Sequence, residues 1–382
     1  MAISTNEALL DAVARIGPVI REHAEEAERG RRLAAPAMDA MREVGLFRML
    51  LPRSLAGMEV DPVTFARVIE AVARHDPAAA WALQAASFGD WWGSRFPQEG
   101  IEEIVGDNPD VLMAAAFAPP VTGVAVEGGY VVSGRRPLAS TIADADWLLV
   151  TAVIGQEARG VVVRAEEAGV VDTWHSLGMR GTDSNDVVLE DVFVPARRTF
   201  PLMPDFEPGP HYAGPLYRMS ANAVIAGFWG PLTLAIAREA IEALRALAPT
   251  KMSLGSTRAL RDRSVAHGRL GRAEGLVRSA RALVYTTLEE SWQRALSGAS
   301  PTLEERAGDL LAGVNALSSA VEAVDLVYSL AGSSAIYERS PIERAFRDIQ
   351  TIRHHGFVCE SRFEAVGQVL LGVEPEFAFV AF

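Results

Sequence analysis

The sequence predicts an α+β chain built as a helical bundle, a compact β-domain and a second helical bundle. Three observations carry that prediction. Apolar residues recur at three- and four-residue spacing from Thr5 to about Asn108, give way near Met113 to short β-branched runs between turn residues, and return to helical spacing after Ala213. The expected divisions are an N-terminal helical domain over residues 1–112, a β-barrel over 113–210 and a four-helix bundle over 211–382.

In the first division ALLDAVARIGPVIREHAEEAERG, APAMDAMREVGLFRML and PVTFARVIEAVARHDPAAAWALQ are amphipathic runs joined at Pro and Gly, giving about five helices. The opening MAISTNEALLDAVARI has no basic n-region and no continuous apolar stretch, so it reads as a capped amphipathic helix and not as a signal peptide. In the second division VTGVAVEG, GYVVSG, DWLLVTAVI, GVVVRA and DVVLEDVFV have strand composition, and Gly128-Gly129 marks a hairpin. About seven short strands in so short a span make a barrel or a sandwich. In the third, ANAVIAGFWGPLTLAIAREAIEALRAL, AHGRLGRAEGLVRSARALVYTTLEESWQRAL, LEERAGDLLAGVNALSSAVEAVDLVYSLA and IERAFRDIQTIRHH are helical runs rich in Ala and Leu. Such helices pack on one another and often on another subunit.

Composition narrows the function. The 382 residues are 49% hydrophobic and 22% charged, enough to bury a large core. A formal net charge of −13 argues against nucleic acid or an anionic membrane surface as partner. Lys251 is the only lysine and Cys359 the only cysteine, which excludes a disulfide framework and fits a reducing, cytoplasmic setting. No uninterrupted apolar run of about 18 residues suggests a membrane span. There is no GxGxxG after a strand, no P-loop, no HExxH and no GxSxG. Asp144 and Asp146, flanking one alanine, read as a turn and not as a metal site.

Three stretches remain: Gly128 to Trp147, with hydroxyls at Ser140 and Thr141; Trp174 to Pro195; and Ala331 to Gly356, which ends in His354-His355-Gly356. A histidine pair before glycine suggests an imidazole presented where backbone must come close. By itself it equally fits a solvated pair at a helix C-terminus, favoured by the helix dipole.

The resemblance these stretches carry spans the whole chain. The order bundle, barrel, bundle, with LGMRGTDSNDVVLEDVFVP (Leu177 to Pro195) and IERAFRDI (Ile342 to Ile349), resembles the acyl-CoA dehydrogenase superfamily. Dehydrogenases of that superfamily remove an α-proton with a glutamate nine residues after the arginine of the Arg-Asp pair; counting from Arg347, that position is Gly356. A second group carries the glutamate seven residues before the glycine of Gly-Pro-Leu; counting back from Gly230, that position is Ala223. Neither is a carboxylate, so proton abstraction has no evident base. The same stretches are similar to the flavin-dependent monooxygenase branch, the group D two-component oxygenases. That branch has a histidine eight residues after the arginine, here His355, and a serine following alanine where the barrel meets flavin N5, here Ser140.

The resemblance implies an oxygenase that takes reduced FMN or FAD from a separate NAD(P)H-dependent flavin reductase and uses O2 through a flavin (hydro)peroxide. It implies hydroxylation of an aromatic or polycyclic substrate, or N-oxidation of an amine. His355 would assist protonation or oxygen transfer, and Ser140 would retain the peroxide by donating to N5. Cofactor contacts are expected from Phe117, Ala118, Leu138 and Thr141 beside Ser140, from Trp174, Arg180 and Thr182, and from Gly332-Ser333 at the position of a Gly-Gly pair. The family's adenylate-binding Arg, Phe and Gln positions fall near Ser256, Ala259 and His267, so FMN fits at least as well as FAD, and Lys251, Arg258 and Arg263 are candidate phosphate ligands. Phe88, Trp91 and Trp92 are candidate substrate contacts in the pocket, or packing residues. A homotetramer is implied, and no metal. The alternative is a dehydrogenase or oxidase acting on acyl-CoA with its base relocated.

Overall fold

The computed structural model describes residues 5–252 and 254–382. Six helices come first: α1 (Thr5–Glu22), α2 (Ala24–Gly30), α3 (Ala35–Glu43), α4 (Pro62–Ala73), α5 (Pro77–Trp92) and α6 (Gln98–Val105). Seven strands come next: β1 (Met113–Val126), β2 (Gly129–Ala139), β3 (Trp147–Ile154), β4 (Glu157–Arg164), β5 (Gly169–Val171), β6 (Asn185–Pro195) and β7 (Thr199–Pro201). The chain closes with α7 (Ala221–Leu247), α8 (Ser264–Ser297), α9 (Leu303–Ala331), α10 (Pro341–Ile352) and α11 (Arg362–Leu370).

These elements pack as two compact units that do not respect sequence order. One holds the chain up to Phe65, Ala78–His175 and Arg180–Arg218; the other holds Ala66–Pro77, Ser176–Met179 and Met219–Phe382.

In the first unit the strands form one mixed sheet in the order β5-β6-β2-β1-β3-β4-β7. The hairpin expected at Gly128-Gly129 joins β1 to β2 through Glu127 and Gly128, whose φ of +79° suits glycine. β3 lies parallel to β1 and antiparallel to β4, and its first six residues are all buried, as a central strand covered on both faces requires. β4 reaches β6 although β2, β1 and β3 separate them in the strand order, so the sheet curls around its core. That core is aliphatic: Val132, Leu148, Val150, Val161, Val163, Val187 and Leu189 pack in a single cluster. The ladder is irregular between Ala116 and Val121 of β1 and between Arg136 and Ala139 of β2. Bulges of this kind re-aim side chains and are common beside active sites.

In the second unit α7, α8 and α9 pack lengthwise. Gly227 and Gly230 on α7 meet Leu288 and Val284 of α8 closely enough that a Cβ at Gly230 would have to displace Val284. The latter part of α4 belongs to this unit through Glu70, which takes Arg281 at 2.9 Å and the Tyr285 hydroxyl at 2.6 Å. Two helices are apolar and long enough to cross a membrane by composition, one being α7 and the other beginning with α9; the apolar windows are 89% and 61% buried within the protein.

One buried carboxylate fastens the three long helices. Ser220 and Ser291 each donate to Asp309 at 2.6 Å, while Ser220 also accepts from the Ala223 amide as the N-cap of α7. Burial outweighs these donors and pushes Asp309 up to about 6. A folded-state value above the ordinary 3.8 makes the charged form costly in the folded protein, so stability at this site is greatest in acid and declines as pH rises through 6. Urea unfolding is expected to give about 1 kcal/mol less stability at pH 8 than at pH 5 from this group, a difference absent in Asp309→Asn.

Candidate active site

On the first unit, the end of β2 presents a strained, hydroxyl-lined turn. Leu138 and Thr141 adopt φ of +63° and +61°, a region non-glycine residues occupy only when surroundings hold them there. The Thr141 amide is held by the Thr182 carbonyl at 2.8 Å and its hydroxyl donates to the Ser140 carbonyl at 2.6 Å. This turn leaves Leu138 57% exposed and Ser140 buried. Ser140 receives the Trp81 indole N–H at 3.0 Å and bonds the Ser184 hydroxyl at 2.7 Å, which in turn bonds the Thr182 hydroxyl at 2.7 Å. A serine has one proton and two lone pairs. Trp81 occupies one Ser140 lone pair, and either hydroxyl can donate in the Ser140–Ser184 pair; the Ser140 proton is open to an outside acceptor when Ser184 is the donor.

Other residues expected from the resemblance also lie on this unit. Phe117 and Ala118 occupy the irregular part of β1, Ala118 exposed and Phe117 packed edge-on to Phe88 at 5.7 Å. Trp174 is half-buried; its amide donates to Asn185 Oδ1 at 2.9 Å and its indole to the Arg180 carbonyl at 3.1 Å. Gly181 lies against Ala78 and Ala27, a contact that leaves little room for a side chain. Phe88, Trp91 and Trp92 are buried in an aromatic group that also takes in Phe117 and Phe200. Arg95 covers the Trp92 ring at 4.6 Å.

On the second unit, two sequence motifs lock into each other. The Gly178 amide donates to Thr351 at 2.9 Å, the Met179 amide to Asp348 Oδ1 at 2.6 Å, and Arg347 to the Leu177 carbonyl at 3.1 Å. A Cβ at Gly178 would collide with the Arg347 carbonyl. The Leu-Gly-Met and Arg-Asp signatures are thus a structural clamp.

α10 stops at Ile352, although its apolar spacing predicts a helix that runs on through the histidines. His355 instead donates its amide to the Ile352 carbonyl at 2.8 Å, the tighter i−3 pattern of a helix end. His354 is exposed. The His355 ring lies 4.7 Å from the Trp229 ring and 5.6 Å from Phe357. Burial alone pushes its imidazole down to about 4, so it is neutral at pH 7. The Phe357 amide donates to Nδ1 at 3.4 Å, which places the ring proton on Nε2. His355 therefore offers an N–H donor and carries no charge.

Gly332 ends α9 with φ +53°, and Lys251 donates to the hydroxyls of Ser333 and Ser334 at 3.3 and 2.7 Å. Arg258 meets Ser256 through its backbone. Ala223 is buried in the first turn of α7 and Gly356 is exposed, so the two glutamate positions of the dehydrogenases hold no acid. Asp144 pairs with Arg32 at 2.5 Å and Asp146 accepts the Leu112 amide at 2.9 Å, both contacts across the fold and not within the turn. No cluster of metal-ligating side chains occurs among the described residues.

Sequence reasoning missed Trp81, Ser184 and Trp229. Nothing in their spacing marks them; their roles come from tertiary contacts to Ser140 and His355.

On the first unit, the exposed apolar surface of Leu138 and Ala118 beside the Ser140 hydroxyl suits a flavin ring. On the second unit, His355 is an uncharged N–H donor. Residues 5–93 match the acyl-CoA dehydrogenase N-terminal domain and 228–360 the acyl-CoA dehydrogenase C-terminal domain. Indole-3-acetate monooxygenase of Pseudomonas putida is 30% identical over 381 residues, covering 97% of this chain and 94% of its own. The flavin-dependent monooxygenase oxygenase subunit HsaA of Rhodococcus jostii is 27% identical, covering 88% of this chain and 91% of its own. Among solved structures, XiaF from Streptomyces sp., in complex with FADH2 and glycerol, superposes with a TM-score of 0.91 at 26% identity, over 97% of this chain and 96% of its own. The chain belongs to the acyl-CoA dehydrogenase family, in the branch that holds the oxygenase subunits of flavin-dependent monooxygenases.

Proposed function

We propose that this protein is the oxygenase component of a two-component flavin-dependent monooxygenase acting on an aromatic substrate. Bound reduced FMN or FAD, delivered by a separate NAD(P)H-dependent reductase, supplies the electrons that activate O2. The observation that supports this reading most is His355: a neutral imidazole with its proton on Nε2, one residue before the position where a dehydrogenase holds its glutamate. A neutral donor stabilises negative charge that develops on oxygen without releasing a proton to it early. Ser140 accepts from Trp81, and with Ser184 as the donor in their hydroxyl pair it would offer its proton to flavin N5. Leu138 and Phe117 keep water from the reacting atoms. The dehydrogenase alternative has no acid at either glutamate position, Ala223 and Gly356, and Asp309, a buried acid with a raised pKa, has both oxygens bonded to serines. We assign the enzyme to the cytoplasm, as a homotetramer, on its single cysteine, its acidic balance and its Ala-rich helices.

The test is single-turnover oxidation of supplied reduced FMN or FAD under 18O2 with a panel of phenols, indoles and aromatic amines. Wild type is expected to place one 18O atom in product. Ser140→Ala is expected to shift most of the flavin oxidation to H2O2, with product per flavin falling about tenfold. Release of only H2O2 across the panel, or anaerobic reduction of bound flavin by an acyl-CoA, would overturn the proposal.

A further inference from the structure

One face of α5 carries polar atoms that nothing in the fold pairs. Gln84 Oε1, Ser87 Oγ and Asp90 Oδ2 stand three residues apart and have no hydrogen-bond partner among the described residues; neither has the Tyr212 hydroxyl. All four side chains are more than nine-tenths buried, at 1%, 0%, 7% and 1% exposure. Residues three apart on a helix are neighbours on one face. Tyr212 lies over the next turn, where its hydroxyl would collide with a Cβ at Gly93. Trp91 on the same face is anchored through its indole N–H to the Leu216 carbonyl at 3.4 Å. Folded proteins leave few buried polar atoms unpaired, and four on and beside one helix call for a partner.

The chemistry of the four groups selects the ligand. Burial raises Asp90 and Tyr212 well above their ordinary ranges. Two of the open atoms are carbonyl or carboxyl acceptors, the other two are hydroxyls, and none of the four groups is a cation. None of these four groups brings a counter-charge for a carboxylate, whereas a ring N–H or phenolic O–H would find acceptors among them.

We infer that Gln84, Ser87, Asp90 and Tyr212 form the substrate-recognition subsite of this enzyme, and that it selects an uncharged aromatic N–H or O–H donor over an aromatic carboxylate. The inference rests on the monooxygenase reading for the word substrate, but its test reads binding alone. Affinities of the flavin-free protein are measured by calorimetry for indole against 1-methylindole, 1-naphthol against 1-methoxynaphthalene, and indole-3-acetate. Wild type is expected to bind each donor at least about tenfold more tightly than its methylated partner and than indole-3-acetate, since a site built around hydrogen bonds rejects analogues lacking them. Gln84→Met/Asp90→Leu replaces both acceptors with apolar groups of similar size, a change a folded core tolerates, and is expected to bring the ratio below about threefold. Equal binding within each pair, no saturable binding of any probe, tighter binding of indole-3-acetate, or a preference unchanged in the double variant would each overturn it. Donor-selective binding by a protein that forms no 18O product would retire the monooxygenase reading and leave the subsite standing.

Discussion

His355→Ala is expected to lower the rate of aromatic oxygenation by about a hundredfold or more, within the usual range for a positioned proton donor. The lost flavin oxidation is expected to appear as H2O2. The pH profile separates this role from a merely structural one. A solvated histidine titrates near 6.5, but burial beside Trp229 and Phe357 pushes His355 down to about 4. Product formation by the wild type is therefore expected to stay level from pH 8 to about 5 and to fall only as the ring protonates near 4. A limb near 6.5 that disappears in His355→Ala would show that the ring works as an imidazolium and would sink the neutral-donor role. His355→Gln, which keeps an N–H, is expected to retain more product per flavin than His355→Ala. The same number sets the sign for stability. A folded-state value below the unfolded one makes the protein lose stability as pH falls from about 6.5 toward 4, because unfolding frees the ring to take a proton.

Arg136→Met is expected to stabilise the protein by roughly 2–4 kcal/mol in urea unfolding. Arg136 lies on β2 with no exposed surface, and none of its three guanidinium nitrogens has a hydrogen-bond partner among the described residues. Desolvation lowers its pKa from 12.5 to about 10, so at neutral pH the charge is present and unfavourable. The sign is opposite to that of a paired arginine. Because the folded value lies below the unfolded one, the cost is constant across neutral pH and is relieved only above about 10. Methionine fills a similar volume, is unbranched and brings no charge. A loss of more than about 1 kcal/mol on substitution would mean that an anion pairs with the guanidinium in solution.

Much of the architecture is legible in the sequence because burial writes a period into it. The hairpin at Gly128, the strand-like β3 and the helical spacing of α7 to α9 are all direct readings of that period. Ser140 and His355 are legible as residue types at motif positions, but their states are not. The bonding of Ser140 depends on Trp81 and Ser184, 59 and 44 residues away, and that His355 is neutral depends on enclosure by rings. Arg136 is readable in principle. Counting by twos from buried Val132 puts it on the inward face, yet its neighbour Arg135 makes the pair look like solvated charge. The end of α10 is misread from the sequence because apolar spacing continues past the last helical turn, and only the hydrogen bonds reveal the tightening.

The clamp on α10 separates inheritance from invention. Arg347, Asp348 and Thr351 meet the Leu177 to Met179 segment through hydrogen bonds, and the last of them lies four residues before His355. A lineage that keeps those three anchors can exchange the next few side chains, glutamate for histidine or glycine for acid, by point substitution without remaking the scaffold. The most recognisable residues of this stretch thus hold the scaffold, and the residue proposed to act on the reaction stands just beyond them, where a change leaves the anchors intact.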